Sequence, residues 1–188
     1  FMELRKELDI LEKETGKKKL LTTATGGFAS FLNNTEMGEA AKYLDYVNLM
    51  TYDYYASKQA KHHTNLFDSK AYPSDNSADK AIKAYIAAGV PASKIVMGIA
   101  FYGRNLQLVA NANKGIGDTI LSSANSYGKG YTFLKDSLLN KKGFVAYQDE
   151  DAKAPYLFNP QTKAFISYDD EWSVDHKCQY VLHHKLGG

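Results

Sequence analysis

Apolar residues recur at helical spacing across the first fifteen positions, as Leu4, Leu8 and Leu11, and Gly16 ends the run. Residues 19–25, rich in Leu and Thr, predict a short strand stopped by Gly26-Gly27. A helix is expected over 34–44, a second strand over 46–52, and a long polar loop over 53–76. Residues 77–88 predict a helix with Ser77 as its N-cap, closed by Gly89-Val90-Pro91. A third strand is expected over 94–102. Strands alternating with helices at this spacing argue for βαβ units and a parallel sheet. From 105 to 167 the pattern breaks. This stretch is rich in Gly, Asn, Tyr and Lys, with short apolar runs at Gly143-Phe144-Val145-Ala146-Tyr147, Tyr156-Leu157-Phe158 and Ala164-Phe165-Ile166. Asn159-Pro160-Gln161 is a turn signal, so the last two runs are expected to pair as a hairpin. An α+β insertion fits this region, and 173–186 returns to a helical pattern.

Successive strand residues face opposite sides, so parity sorts the strands into faces. Val47, Leu49 and Thr51 fall on one face of the second strand, and Asn48, Met50 and Tyr52 on the other. In the third strand Ile95, Met97, Ile99 and Phe101 oppose Val96, Gly98, Ala100 and Tyr102. Each strand has a bulky face suited to covering helices and a smaller or more polar face that ends in a tyrosine. Strands lining a barrel, with tyrosines at the C-terminal rim, would read this way. Two buried strands in an open sheet would too.

Composition narrows the function classes. At 188 residues, 44% hydrophobic and 23% charged, the chain is globular and long enough for a real core. Its net charge of +2 gives no argument for a nucleic-acid or membrane partner. Lys17-Lys18-Lys19, the densest basic run, reads as a solvated strand entry. The single cysteine, Cys178, cannot form an internal disulfide and reads as a core residue. His62-His63 and His183-His184 are adjacent pairs that point apart and lack metal-ligand spacing, so no metal site is expected from them. No transmembrane run or signal peptide is visible. The chain starts directly in a helical pattern, which suggests that an upstream segment has been removed.

Four segments in order carry a resemblance. They are Leu21-Thr22-Thr23-Ala24, then Tyr46-Val47-Asn48-Leu49-Met50-Thr51-Tyr52-Asp53, then Lys94 to Arg104 with Phe101-Tyr102-Gly103-Arg104 at its end, then Ser167-Tyr168-Asp169-Asp170 followed by Ser173. Together they resemble the family-18 glycoside hydrolases, the chitinases and their relatives, over nearly the whole chain. The resemblance implies an α/β fold built as a partial (β/α)8 TIM barrel, strands five to seven with flanking helices, carrying an α+β insertion domain. The expected boundaries are 1–104 for the partial barrel, 105–167 for the insertion, and 168–188 for the return to the barrel. Leu186-Gly187-Gly188 is similar to the segment just before the eighth strand. The family's D-x-x-D-x-D-x-E signature on strand four does not occur in these residues. Asp149-Glu150-Asp151 is a dense acidic run without that spacing, and it reads as a solvated loop.

In this family the substrate's own acetamido oxygen is the nucleophile, an exception to the two-carboxylate scheme. The resemblance makes Tyr52 the hydroxyl donor that holds that oxygen, and a phenol suits the task because it donates one directed hydrogen bond without charge. Asp53 is implied to bond sugar hydroxyls. Ala24 and Met50 match the floor of the acetyl pocket. Tyr102 and Arg104 match groups that approach the sugar from the insertion side, and Arg104 could equally anchor the insertion. Asp169 and Asp170 read as structural, with Asp170 near a helix start where a carboxylate is favoured. Trp172 is either a sugar platform or a helix-packing residue. Tyr54-Tyr55 after Asp53 departs from the family pattern and leaves the shape of that loop open. The implied partner is chitin or a chito-oligosaccharide, no metal or cofactor is implied, the implied compartment is extracellular or periplasmic, and self-association through open sheet edges is expected. A chitinase-like lectin, an endo-β-N-acetylglucosaminidase and a cortex-lytic hydrolase are the alternatives. The chain alone, without the acid motif, is expected to be inactive.

Overall fold

A computed structural model describes residues 1–54, 58–110, 112–121 and 126–188. Tyr55, part of the open question about the loop after Asp53, lies outside the described residues. The chain divides into two compact units. One holds Phe1–Thr51, Asp79–Gly98 and Cys178–Gly188, the other Tyr52–Ala78 and Ile99–Lys177.

The first unit is a three-stranded parallel sheet with helices. The amphipathic start forms α1 (Met2–Thr15), which Gly16 closes in the left-handed conformation. β1 (Thr22–Gly26), β2 (Tyr46–Met50) and β3 (Ile95–Met97) pair in that order, all parallel. Val47 and Leu49 are fully buried, while Tyr46 and Asn48 on the opposite face are exposed. α4 (Ala78–Ala87) contributes buried Ile82 and Tyr85, and the Tyr85 hydroxyl donates to Gly26 O at 2.8 Å. The outer edge of β3 is occupied: Gly187 N donates to Ile95 O and Met97 N to Gly188 O, both at 2.8 Å. The chain's last residues therefore already extend the sheet on that side. Gly27 must be glycine, since a Cβ there would stand 2.4 Å from Met50 O.

α1 departs from an ordinary amphipathic helix in that none of its residues is buried. It is tied down electrostatically, with Arg5 Nη1 3.0 Å from the Asp45 carboxylate, which also accepts from Leu21 N at 2.8 Å.

Two predicted elements differ. Of the helix expected over 34–44 only a short piece forms, α3 (Met37–Ala40), and another short helix, α2 (Ala29–Leu32), precedes that range. Asn33-Asn34-Thr35 supply poor helix formers between the two. The third strand ends at Met97 rather than 102, and Tyr102 opens a separate strand, β4 (Tyr102–Gln107). Between them, the Ala100 N–H donates to Asp169 Oδ2 at 3.1 Å, so it is spent on a side chain and not on a ladder.

The second unit is built on a five-stranded antiparallel sheet in the order β5-β4-β8-β7-β6. Its other strands are β5 (Ser126–Gly130), β6 (Val145–Asp149), β7 (Ala154–Asn159) and β8 (Ala164–Ser167), with α5 (Tyr131–Ser137) between β5 and β6. β7 and β8 form the expected hairpin, with Tyr156 opposite Ser167 and Phe158 opposite Phe165. Every residue of β7 is buried, because both faces of the sheet are covered. Tyr156, Phe158, Phe165 and Leu106 pack one apolar cluster, and Leu157, Ile166, Leu134 and Tyr168 the other. Parity along β7 assigns alternate residues to the two clusters, as the pleat requires.

The segment after Asp53, expected as a polar loop, is instead a buried strap. His62, His63, Thr64, Asn65 and Leu66 are all buried. Leu66 N donates to Ala152 O at 3.0 Å and Ala60 N to Asp118 O at 2.8 Å, so turn and loop carbonyls distant in sequence satisfy its backbone.

Asp170 caps α6 (Glu171–His184): its Oδ1 accepts from Ser173 N at 2.9 Å, and Ser173 Oγ accepts from Asp170 N at 3.0 Å. Cys178 is exposed, not core. The buried stripe of α6 is Ser173, Lys177 and Tyr180, and Cys178 falls one position off it.

Candidate functional site

In the second unit, Tyr52 and Asp53 leave the end of β2 while Tyr102 and Arg104 lie on β4. Gly103 between the latter two has a steric cause: a Cβ there would come within 2.7 Å of Ile166 Cγ2 and 2.9 Å of Leu134 Cδ1. The alternating pleat then sends Tyr102 and Arg104 to the same side. Both reach Asp53. The Tyr102 hydroxyl donates to Asp53 Oδ1 at 2.7 Å, Arg104 Nε donates to the same oxygen at 2.8 Å, and Arg104 Nη2 lies 2.8 Å from it. Tyr52 meets Tyr102 edge-on, with ring centroids 6.2 Å apart and planes at 80°. Arg104 also lies over the Tyr102 ring, 5.6 Å from its centroid.

Asp53 adopts φ 61°, a left-handed conformation that costs a non-glycine residue energy and clusters at functional sites. Burial works against its ionisation, but the His63, Arg104 and Tyr102 interactions together outweigh burial and hold the carboxyl well below the usual range. The same contact acts oppositely on Tyr102, where burial and the neighbouring carboxylate push the phenol up. At neutral pH the cluster is therefore a carboxylate, a guanidinium and a neutral phenol.

A second polar cluster lies next along the strap. Lys177 and Asp169 are 1% exposed and 2.7 Å apart. Lys177 Nζ also donates to Thr64 O and Thr64 Oγ1 at 2.8 Å, while Asp169 accepts from Thr64 Oγ1 at 2.7 Å and from Ser173 Oγ at 2.8 Å. Every lone pair and proton of this buried pair has a partner nearby, which is the condition for such a pair to be tolerated. Sequence reasoning read Asp169 as structural and missed Lys177 and Thr64 altogether. A lone Lys at i+8 from an Asp on a helix carries no local signal of burial.

Ala24 and Met50 belong to the first unit. Register pairs Ala24 with Asn48 and Gly26 with Met50, so Ala24 and Met50 lie on one face of the parallel sheet, the face whose Asn48 is exposed. A cavity of about 500 Å³ in this unit is lined by Ala24, Phe31, Met37 and Tyr43 among others. Asp149 is not the solvated loop residue expected. It is mostly buried, with its Oδ2 3.2 Å from His62 Nε2. Trp172 packs edge-on against His176 with Lys153 5.6 Å from its ring centroid, a helix-surface arrangement. Among the described residues no group of three or more His, Cys, Asp or Glu is placed to hold a metal ion.

The model for glycosyl hydrolases family 18 matches residues 1–188. The chain belongs to that family. It is 38% identical to chitinase A1 of Niallia circulans over 98% of its own length and 28% of that protein. Among solved structures it is similar to a family-18 N-acetylglucosaminidase from Paenibacillus barengoltzii, with TM-score 0.91 and 41% identity over 98% of this chain and 54% of that one. A class V chitinase variant from Nicotiana tobaccum, solved in complex with NAG4, matches with TM-score 0.87 and 28% identity over 99% of this chain and 55% of that one. The chain thus spans about half or less of the length of these relatives.

Proposed function

We propose that this chain is the C-terminal part of a chitinase-like hydrolase that cleaves β-1,4-linked N-acetylglucosamine polymers with retention, by substrate-assisted catalysis. The observation that carries the reading is the convergence of Tyr102 and Arg104 on one oxygen of the Asp53 carboxylate, beside Tyr52. A carboxylate fixed in this way, ionised and with its second oxygen not engaged by those partners, is a directed acceptor for sugar hydroxyls. Arg104 balances its charge, so the site can lose water without driving Asp53 to its neutral form. Tyr52 supplies the uncharged hydroxyl donor for the acetamido oxygen as it closes to an oxazolinium ion. Ala24 and Met50 keep, on the resemblance alone, the role of apolar floor for the acetyl methyl. The similarity to an N-acetylglucosaminidase and to a chitinase carrying NAG4 supports this substrate class. The partial barrel over 1–104, the insertion over 105–167 and the return over 168–188 are our reading of the domains, and an extracellular or periplasmic location goes with the substrate.

The proton donor is the missing part. The D-x-x-D-x-D-x-E motif is absent from these 188 residues, so we propose that this chain alone does not turn substrate over. The purified chain should release no fluorophore from a fluorogenic chitobiose derivative, and turnover would overturn the proposal. In a gene product that joins this chain to the acid motif, Tyr52→Phe should lower kcat roughly 10²–10³-fold, as loss of one positioned donor does. Asp53→Asn should raise KM as well as lower kcat. Unchanged kinetics in both variants would refute the assigned roles.

A further inference from the structure

Asp53 has a third neighbour that the mechanism above does not use. His63 lies on the buried strap with 4% of its side chain exposed, and its Nδ1 is 3.6 Å from Asp53 Oδ1. Among the described residues neither of its ring nitrogens has a hydrogen-bond partner. Buried polar atoms are paired in native structures with few exceptions, and each exception needs a reason. The ring has little freedom to move away. His63 N donates to Ser167 Oγ at 3.0 Å, and His63 O accepts from Tyr54 N at 3.0 Å. The next residue, Thr64, is locked by Asp169 and Lys177. One flank of the imidazole lies against Tyr102, at 5.5 Å between centroids and 36° between planes. An immobilised imidazole thus sits just beyond hydrogen-bond range of the oxygen that Tyr102 and Arg104 already hold.

We infer that His63 is a positioning residue for Asp53: as a neutral imidazole carrying its proton on Nδ1, it directs that N–H at Oδ1, completes the hydrogen bond by a small closing shift, and fixes the carboxylate so that Oδ2 is presented outward. That Oδ2 then meets a sugar hydroxyl rests on the function proposed above; the His63–Asp53 coupling does not. The charge state follows from the surroundings. Burial is the largest influence and pushes the imidazole below its ordinary pKa. Asp53 and Asp169 pull it up and Lys177 pushes it down, while Arg104 already offsets the charge of Asp53. Tyr102, the remaining titratable group against the ring, is neutral at ordinary pH. The Asp169–Lys177 pair is internally balanced, so burial decides, and the neutral ring retains one proton to give.

The test uses the full 188-residue chain labelled with ¹⁵N and ¹³C. Ring nitrogen shifts of wild-type His63 near neutral pH should show the Nδ1–H tautomer with Nε2 bare. The Nε2–H tautomer would overturn the inference, because a bare Nδ1 cannot donate to a carboxylate. This readout needs no variant, so it stands even if a substitution unfolds the chain. In His63→Leu the Asp53 carboxyl ¹³C titration should move upward by about one pH unit, the scale of one charge-assisted hydrogen bond. His63→Asn, which retains a donor, should recover part of that shift. An unmoved Asp53 midpoint in a cooperatively folded His63→Leu chain would also overturn it. Chitotetraose titration separates the two readings: failure of wild type to bind would count against the sugar site, while the tautomer and the Asp53 midpoint still decide the coupling.

Discussion

The two sheets of this molecule solve the same problem differently. In the second unit, β7 is buried on both faces, two apolar clusters cover the antiparallel sheet, and the buried Lys177–Asp169 pair is fully partnered. In the first unit, the parallel sheet buries only the face of Val47 and Leu49, the opposite face shows Tyr46 and Asn48, and no residue of α1 is buried. A parallel sheet is ordinarily covered on both faces. The contrast therefore teaches that the second unit's sheet is covered on both faces by its own clusters, while the first leaves one sheet face of a kind that further chain, or another copy, would cover.

The sharpest way to break the comparison is to damage the second unit at its buried pair. Lys177→Met leaves Asp169 as an uncompensated buried charge, and one-sided removal of such a pair costs about 3–5 kcal/mol. Urea unfolding should show that loss, with much of it recovered in Asp169→Leu combined with Lys177→Met. A loss below about 1 kcal/mol for the single variant would mean the pair is not dry, and would narrow the difference between the units.

The first unit gives the next largest effect, and a face-dependent one. Leu49→Ala should cost about 2–5 kcal/mol as a core truncation. Asn48→Ala, one residue away on the open face, should change stability by less than about 0.5 kcal/mol. Equal costs at 48 and 49 would show that the outer face is covered in solution. Sedimentation at high concentration would then reveal whether self-association covers it.

The smallest effect concerns pH. Burial raises the pKa of Asp149, but the hydrogen bonds from His62 and the Ala152 backbone overcome it and lower the carboxyl to about 2. A folded-state pKa below the unfolded value contributes stability above the unfolded pKa, and that stability is lost as pH falls through the folded one. Asp149 should therefore contribute about 2 kcal/mol above pH 4 that disappears toward pH 2. Asp53, also lowered, works in the same direction. Asp149→Asn should flatten the acid limb of the stability curve, and an unchanged limb would remove His62–Asp149 from the account.

Much of this was legible in the chain. Alternation of apolar and polar positions located β2, a cap and a Gly-Val-Pro stop located α4, and two apolar runs flanking the Asn159-Pro160-Gln161 turn located the β7–β8 hairpin. The strap at 62–66 was not legible. It reads as polar, and only tertiary partners, Ser167, Ala152 and Lys177, make its burial possible. Asp149 and Cys178 were misplaced for the same reason: acidic runs are usually wet and cysteines usually dry, and here contacts distant in sequence decided otherwise. At the candidate site, Tyr52 and Asp53 stand out as a motif, and Tyr102-Gly103-Arg104 has an alternation that puts the Tyr102 and Arg104 side chains on one side. His63 carries no such signal, since its meaning depends on a carboxylate ten residues earlier and on a buried pair more than a hundred residues away.

The central claim is that the clamped Asp53 carboxylate is a sugar-binding group. Titrating chitotetraose into the isotopically labelled chain tests it most directly. The account predicts saturable chemical-shift changes at Tyr52, Asp53, Tyr102 and Arg104 that vanish in Asp53→Ala. Absence of change at those residues at millimolar sugar, or changes that persist undiminished in Asp53→Ala, would contradict it.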